Sequence, residues 1–281
     1  MRNESDKALS NQYYTTLKAY TIEQSEDPST TATKLITCFY ENVPVNTNAN
    51  AAMNTSPEEG GDPYDDINRT DEIGSDVEGS ISILWALFLD IVIQIPYDHP
   101  DLERLVRLLS AIKTHAPPTA PPLQDDTMIA LNAFQRSWGQ HFWQNLPAFG
   151  LNLREITDCR LPLDQEQFSP NYPLQAYTRE EWASISAFQA LITLHGVMDL
   201  THTGKWVVDL VCKHKEINQP QNSWALQRLT LGAAVWILKL ASKFRWDEGW
   251  NLWKETFARL ATLDDPSATV YMEIVNEMER Q

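Results

Sequence analysis

The sequence predicts an all-α protein, a compact multi-helix array of about eight to ten helices stacked as irregular hairpins. Three observations predict it. From Asp76 onward apolar residues recur with helical spacing, as in Leu102, Leu105, Val106, Leu109 and Ile112. No run of roughly four to eight residues alternates apolar and polar well enough to compete for strand. Helix punctuation recurs as well: Pro96 and Pro100, a Thr178–Glu181 capping box and the Asp265–Pro266 pair. No fixed period of signature residues repeats, so a regular solenoid is not expected.

Two helices open the chain, one within Asp6–Ser25 and one over about Thr30–Asn42, where Leu35, Cys38 and Phe39 form an apolar stripe. These make an N-terminal region of residues 1–43. Residues 44–75 read as a disordered acidic linker, because few large apolar side chains are set among many Asn, Pro and Gly. Nine acids and one arginine between Pro57 and Glu78 give that stretch a net charge of −8, half of the chain's −16. Residues 76–281 read as one helical domain.

The first helix of that domain covers about Asp76–Ile95. Its apolar block, Ile81–Ile95, is 15 residues long and contains Ser82, Asp90 and Gln94. A membrane span needs about 20 apolar residues, so this is a buried helix and no membrane association is predicted. Glu78, Ser82, Ala86, Asp90 and Gln94 recur every fourth residue, which places Asp90 on a polar seam, with no need of a chemical role. Pro96 ends the helix, Asp98 is the expected N-cap of the next, and Gln94 is placed to satisfy backbone groups freed by Pro96. A proline-rich connector, Thr114–Asp126, and two short helices within Thr127–Cys159 follow. Thr178 then opens a helix that buries Trp182, Ile185, Phe188, Leu191 and Ile192 and ends at Gly196. Beyond a helix over about Thr203–Lys213, "SWALQRLTLGAAVWILKLASKF" is apolar nearly all round and predicts an enclosed helix. Trp246, Trp250, Trp253, Phe257 and Leu260 fall at i, i+4, i+7, i+11 and i+14 of one further helix. A last one carries Val270, Ile274 and Met278 along one side.

Composition excludes several functions. Ten glycines against sixteen prolines, and no glycine-rich phosphate motif, argue against a nucleotide fold. A charge of −16 without clustered Lys and Arg excludes general nucleic-acid binding. Cys38, Cys159 and Cys212 are odd in number and far apart, so they predict a reducing compartment, the cytoplasm or the nucleus, for a chain that opens without a signal-like stretch. The hydrolase, metalloprotease and kinase signatures are absent.

Two clusters remain as candidate binding residues. His195, Asp199 and His202 would share one face of a continuous helix, in a spacing suited to a metal. Gly196 interrupts that helix and the spacing matches no zinc pattern, so no metal and no cofactor is predicted; a hydrogen-bonded core histidine is the commoner reading of His195. Trp246, Trp250 and Trp253 are first of all core residues, with a pocket for a small aromatic or apolar ligand as the alternative. Cys212 and His214 point about 200° apart on a helix, so a paired thiolate is not expected.

"SILWALFLDIVIQIPYDHPDLERLVRLLSAI", with Trp85, Gln94, Pro96, His99 and Pro100, resembles a large family of fungal (ascomycete) proteins catalogued only as a domain of unknown function. "REEWASISAFQALI" and "AAVWILKLASKFRWDEGWNLWKETF" are similar to its later blocks, so the resemblance runs over about residues 76–260. It implies a fungal, intracellular helical protein and brings no catalytic residues. The expected function is non-enzymatic, a protein-interaction or scaffold role. The alternative is an accessory enzyme or small-molecule binder of a specialised-metabolite pathway.

Overall fold

The computed structural model describes residues 4–42, 65–115, 142–160, 176–213, 224–263 and 265–281. The predicted linker up to residue 64, the proline-rich connector after His115, the helix expected in its wake and His214 lie outside these residues. The described residues form ten α-helices and one 3-10 turn, with no strand. The fold is all-α. Among them no helix is long and apolar enough to cross a membrane. The chain divides into two units: Met1–Phe88 with Arg107–Arg154, and Leu89–Val106 with Glu155–Gln281.

In the first unit α1 (Glu4–Thr21) and α2 (Pro28–Asn42) form a hairpin. Leu9, Tyr13, Leu17 and Tyr20 of α1 and Ala32, Leu35, Ile36 and Phe39 of α2 are buried. Asp27 caps α2: its carboxylate accepts the N–H groups of Ser29 and Thr30 at 2.9 and 3.0 Å and the Thr30 hydroxyl at 2.6 Å. Phe39 packs on Phe142 and Trp143, beside the 3-10 turn Trp143–Asn145. Leu146 and Ala148 then take left-handed backbone (φ 47 and 57°), and the Trp85 indole donates to the Pro147 carbonyl between them at 2.6 Å. Phe149, which opens α5 (Phe149–Cys159), meets the Trp85 ring edge-on at 5.1 Å.

Three helices span the boundaries between the units, α5 and two more. The longer, α3, runs Asp65–Gln94. It begins eleven residues before the expected start at Asp76, inside the stretch read as linker. Composition judges whether a segment can bury surface, whereas extending an established helix costs little per residue. The seam is as expected: Ser82 and Ala86 are half-buried and Asp90 and Gln94 exposed, while Ile81, Leu84, Trp85, Phe88, Leu89 and Val92 are buried.

The corner after α3 is corrected in its details. Gln94 Nε2 donates to Asp90 O (2.8 Å), and the carbonyl that Pro96 leaves free, Val92, takes the Ile95 N–H instead (3.2 Å). The next helix, α4, is Asp101–Thr114, and His99 rather than Asp98 meets its free end. The His99 Nδ1 accepts the Asp101 N–H at 3.3 Å, and its carbonyl accepts Leu102 N–H at 3.2 Å. Pro100 holds His99, the residue before it, out of the helical region, so the cap falls at His99 and not at Asp98.

In the second unit α8 (Trp224–Phe244) packs against α6 (Arg179–Leu194), α7 (Thr201–Lys213) and α10 (Ala268–Arg280), and α9 (Trp250–Leu260) bridges α7 and α10. The capping box is present: Thr178 Oγ1 accepts Glu181 N–H at 3.1 Å, and the Glu181 carboxylate accepts Thr178 N–H at 2.8 Å. Gly196, at φ +69°, ends α6, and Val197 N–H reaches back to Ile192 O at 2.9 Å. As the composition of α8 predicts, its residues Leu229 to Ile237 are all buried.

Two fully buried tryptophans sit directly on glycines of neighbouring helices. A Cβ on Gly232 of α8 would lie 2.3 Å from Trp182 Nε1 and 2.7 Å from Ser186 Oγ of α6. One on Gly204 of α7 would lie 2.4 Å from the Trp236 ring of α8. Backbone therefore touches indole, and the helices approach more closely than two side-chain layers allow.

Candidate functional site

The surface end of α8 and the turn into α9 concentrate the features that packing does not explain. Asp247 organises the turn: its N–H bonds to Phe244 O (2.8 Å), its carboxylate accepts Gly249 N–H (2.9 Å), and Lys205 Nζ of α7 lies 2.8 Å away. Burial pushes the Asp247 carboxyl up, but Lys205 and the Gly249 N–H outweigh it and hold it below the usual value. Trp246 projects from this turn and is 82% exposed, with the Arg245 guanidinium 4.7 Å from its ring centre.

The expected aromatic stripe is thereby split. Trp246 is not on the helix, which starts only at Trp250, because Asp247 and Gly249 supply turn chemistry that the i, i+4 count ran through. Trp250 is half-buried. Trp253 and Phe257 are wholly buried: Trp253 meets Phe244 edge-on at 5.7 Å and donates its indole N–H to Asp209 (2.9 Å), and Phe257 packs on Tyr271. Most of the stripe is core.

His195, Asp199 and His202 do not share a helix face. His195 lies at the C-cap of α6 and is exposed, contrary to the core reading, because the chain leaves the helix there for Gly196. Asp199 leads into α7, where its carboxylate accepts the Thr201 hydroxyl (2.6 Å) and N–H (3.0 Å); these bonds lower its pKa, helped by the Lys243 charge. His202 is exposed in the first turn of α7. No group of three His, Cys, Asp or Glu side chains able to hold a metal ion occurs among the described residues. Burial pushes the Cys38 thiol up to about 11 and the Cys212 thiol up to about 12, so neither supplies a thiolate nucleophile at neutral pH.

One polar cluster carried no sequence signal. Arg179 donates to Asp265 (2.5 Å), Ser267 Oγ (2.5 Å) and Tyr271 OH (3.0 Å), and Tyr271 in turn pairs with Thr230 Oγ1 at 2.7 Å. Arg179 and Asp265 stand 86 residues apart, so no local spacing announces them. The cluster ties the start of α6 to the start of α10, and only the buried Arg179 Nε in it is left without a hydrogen-bond partner among the described residues. Along α1 and α2 runs an open groove of about 560 Å³ lined by Gln12, Thr15, Thr33, Lys34, Cys38 and neighbours. Its polar groups are engaged locally: Thr15 and Thr33 hydroxyls bond to carbonyls four residues back, Lys34 pairs with Glu26, and Gln12 accepts from Cys38 and Asn42.

Compared with known families, residues 85–263 match the sequence model of one described as protein of unknown function (DUF3632). Neither curated proteins nor solved structures give a match.

Proposed function

We propose, for a chain that belongs to the DUF3632 family, a non-enzymatic role in binding another protein, with Trp246 as the anchor. The observation that carries this reading is the fate of the tryptophan stripe. Trp253 and Phe257 fill the core, while Trp246 is held out in water on a turn fixed by Asp247, Lys205 and Gly249. An exposed indole has a large apolar area to hide and is a residue type enriched at interface hot spots. The small-molecule alternative would use a cavity beside Trp246–Phe257; the mutual packing of Phe244 with Trp253 and of Phe257 with Tyr271 favours the partner reading over it. The reading places the protein in the cytoplasm of a fungal cell, where its cysteines stay reduced.

Affinity capture from such cells, with the full chain and with Trp246→Ala, tests the proposal. The exposed position predicts a stability change within about 0.5 kcal/mol. The expected result is at least one protein held by the native chain and lost with Trp246→Ala at unchanged melting temperature. Capture of nothing specific, or of the same set by both chains, sinks the reading.

A further inference from the structure

We infer that the end of α8 and the turn after it receive an acidic segment of the partner protein, an inference that rests on the protein-binding reading above. The chain has 22 Lys and Arg against 38 Asp and Glu, so cations are scarce. In the second unit several are spent on carboxylates: Arg104 on Asp101, Arg160 on Glu181, Arg179 on Asp265, Lys205 on Asp247, Lys213 on Asp209, Lys254 on Glu279 and Arg280 on Glu277. Lys239, Lys243 and Arg245 form no ion pair among the described residues, and they fall at i, i+4 and i+6 leading directly to Trp246. The same end carries two exposed carboxylates, Glu248 and Asp199; Asp199 accepts from Thr201 and already feels the Lys243 charge, which leaves Lys239 and Arg245 as the less committed cations.

The helix dipole accounts for part of this. Cations are stabilised near a helix C-terminus, and Lys243 caps the end of α6 by donating to Thr193 O at 3.2 Å. It does not account for the indole. Trp253, in the first turn of α9, is wholly buried, whereas Trp246 stands in water. Here a guanidinium without a carboxylate lies over an exposed indole, so a ligand that covers the ring also removes water from Arg245. That is favourable when the ligand brings a carboxylate to replace the lost water, and costly when it does not. An apolar residue flanked by Asp or Glu fits both demands.

Zero-length carbodiimide cross-linking, which joins lysine amines to carboxylates, reads this chemistry directly. It is carried out in native extract with the full chain, with Trp246→Ala, and with the triple variant Lys239→Gln/Lys243→Gln/Arg245→Gln, each shown to melt normally. The expected product joins Lys239 or Lys243 to Asp or Glu residues within one short stretch of a second protein. That stretch, synthesised as a labelled peptide, should bind the full chain and lose affinity by about tenfold or more in the triple variant, and likewise as ionic strength rises from about 0.05 to 0.5 M. A partner lost with Trp246→Ala but kept by the triple variant would leave the protein-binding reading standing and overturn the acidic segment. A partner kept by both variants overturns both. Cross-links confined to second copies of this chain, or charge-dependent binding to RNA or anionic vesicles in place of a protein, also overturn it.

Discussion

The α6–α8 pair and the α1–α2 hairpin are both two helices joined face to face, yet they are built in opposite ways. In the first, glycine lets backbone rest on an indole, and the polar atoms at the contact, Trp182 Nε1 and Ser186 Oγ, have no hydrogen-bond partner among the described residues. In the second, whole side chains meet, an open groove remains between the helices, and every polar group named at its rim has a partner. Close approach gives rigidity at the cost of tolerance. The wider hairpin gives tolerance and stakes little stability on any single residue.

The comparison breaks first at Trp182 and Gly232. Trp182→Ala should cost about 4 kcal/mol, the usual range for emptying a buried tryptophan site. Gly232→Ala should cost about 3 kcal/mol, at the upper end for overpacking, because the neighbour that must give way is a buried ring. The double variant should cost clearly less than the sum, since the added methyl enters the space the indole leaves. Denaturant titration of the four proteins measures the coupling, and strict additivity would refute the contact.

A smaller effect is expected at Asp27, the cap of α2. Hydrogen bonds from Thr30, first its hydroxyl and then its N–H, hold the carboxyl below its unfolded value of about 3.9. A depressed folded value means that the contribution is complete above the unfolded pKa and disappears as pH falls through the folded one. Asp27→Asn should therefore leave stability near neutral pH little changed and flatten its decline between about pH 4 and 2. The smallest effect belongs to the hairpin rim. Gln12→Ala removes the acceptor of Cys38 and Asn42 on an exposed edge and should shift stability by less than about 0.5 kcal/mol, read by thermal melting. A shift as large as that at Gly232 would erase the distinction between the two pairs.

Local signals made much of the second unit readable in advance. The Thr178 capping box, Gly196 as a terminator and the all-round apolarity of α8 each act within a few residues, and each is where the pattern placed it. Features that depend on structure formed elsewhere in the chain were not readable. The α3 start at Asp65 depends on helix already formed downstream, and Arg179 finds Asp265 only once α6 and α10 are side by side. Trp246 shows a third case. Its spacing was helical and its neighbours were not, and the Asp247–Gly249 turn prevailed over the period. At the α3–α4 corner the participants were legible, but which of Asp98 and His99 capped the helix was decided by the residue before a proline.

The exposure of Trp246 also gives the protein an optical handle. Among the tryptophans whose surroundings are described it is the most open to water, whereas Trp85, Trp182, Trp236 and Trp253 are sealed from it. Excitation at the long-wavelength edge of indole absorption should favour its emission. Iodide, drawn to Lys239, Lys243 and Arg245, should extinguish that emission more readily than caesium does. A partner that covers the turn would shift the fluorescence to the blue and shield it from iodide, so association could be followed by light with no label attached.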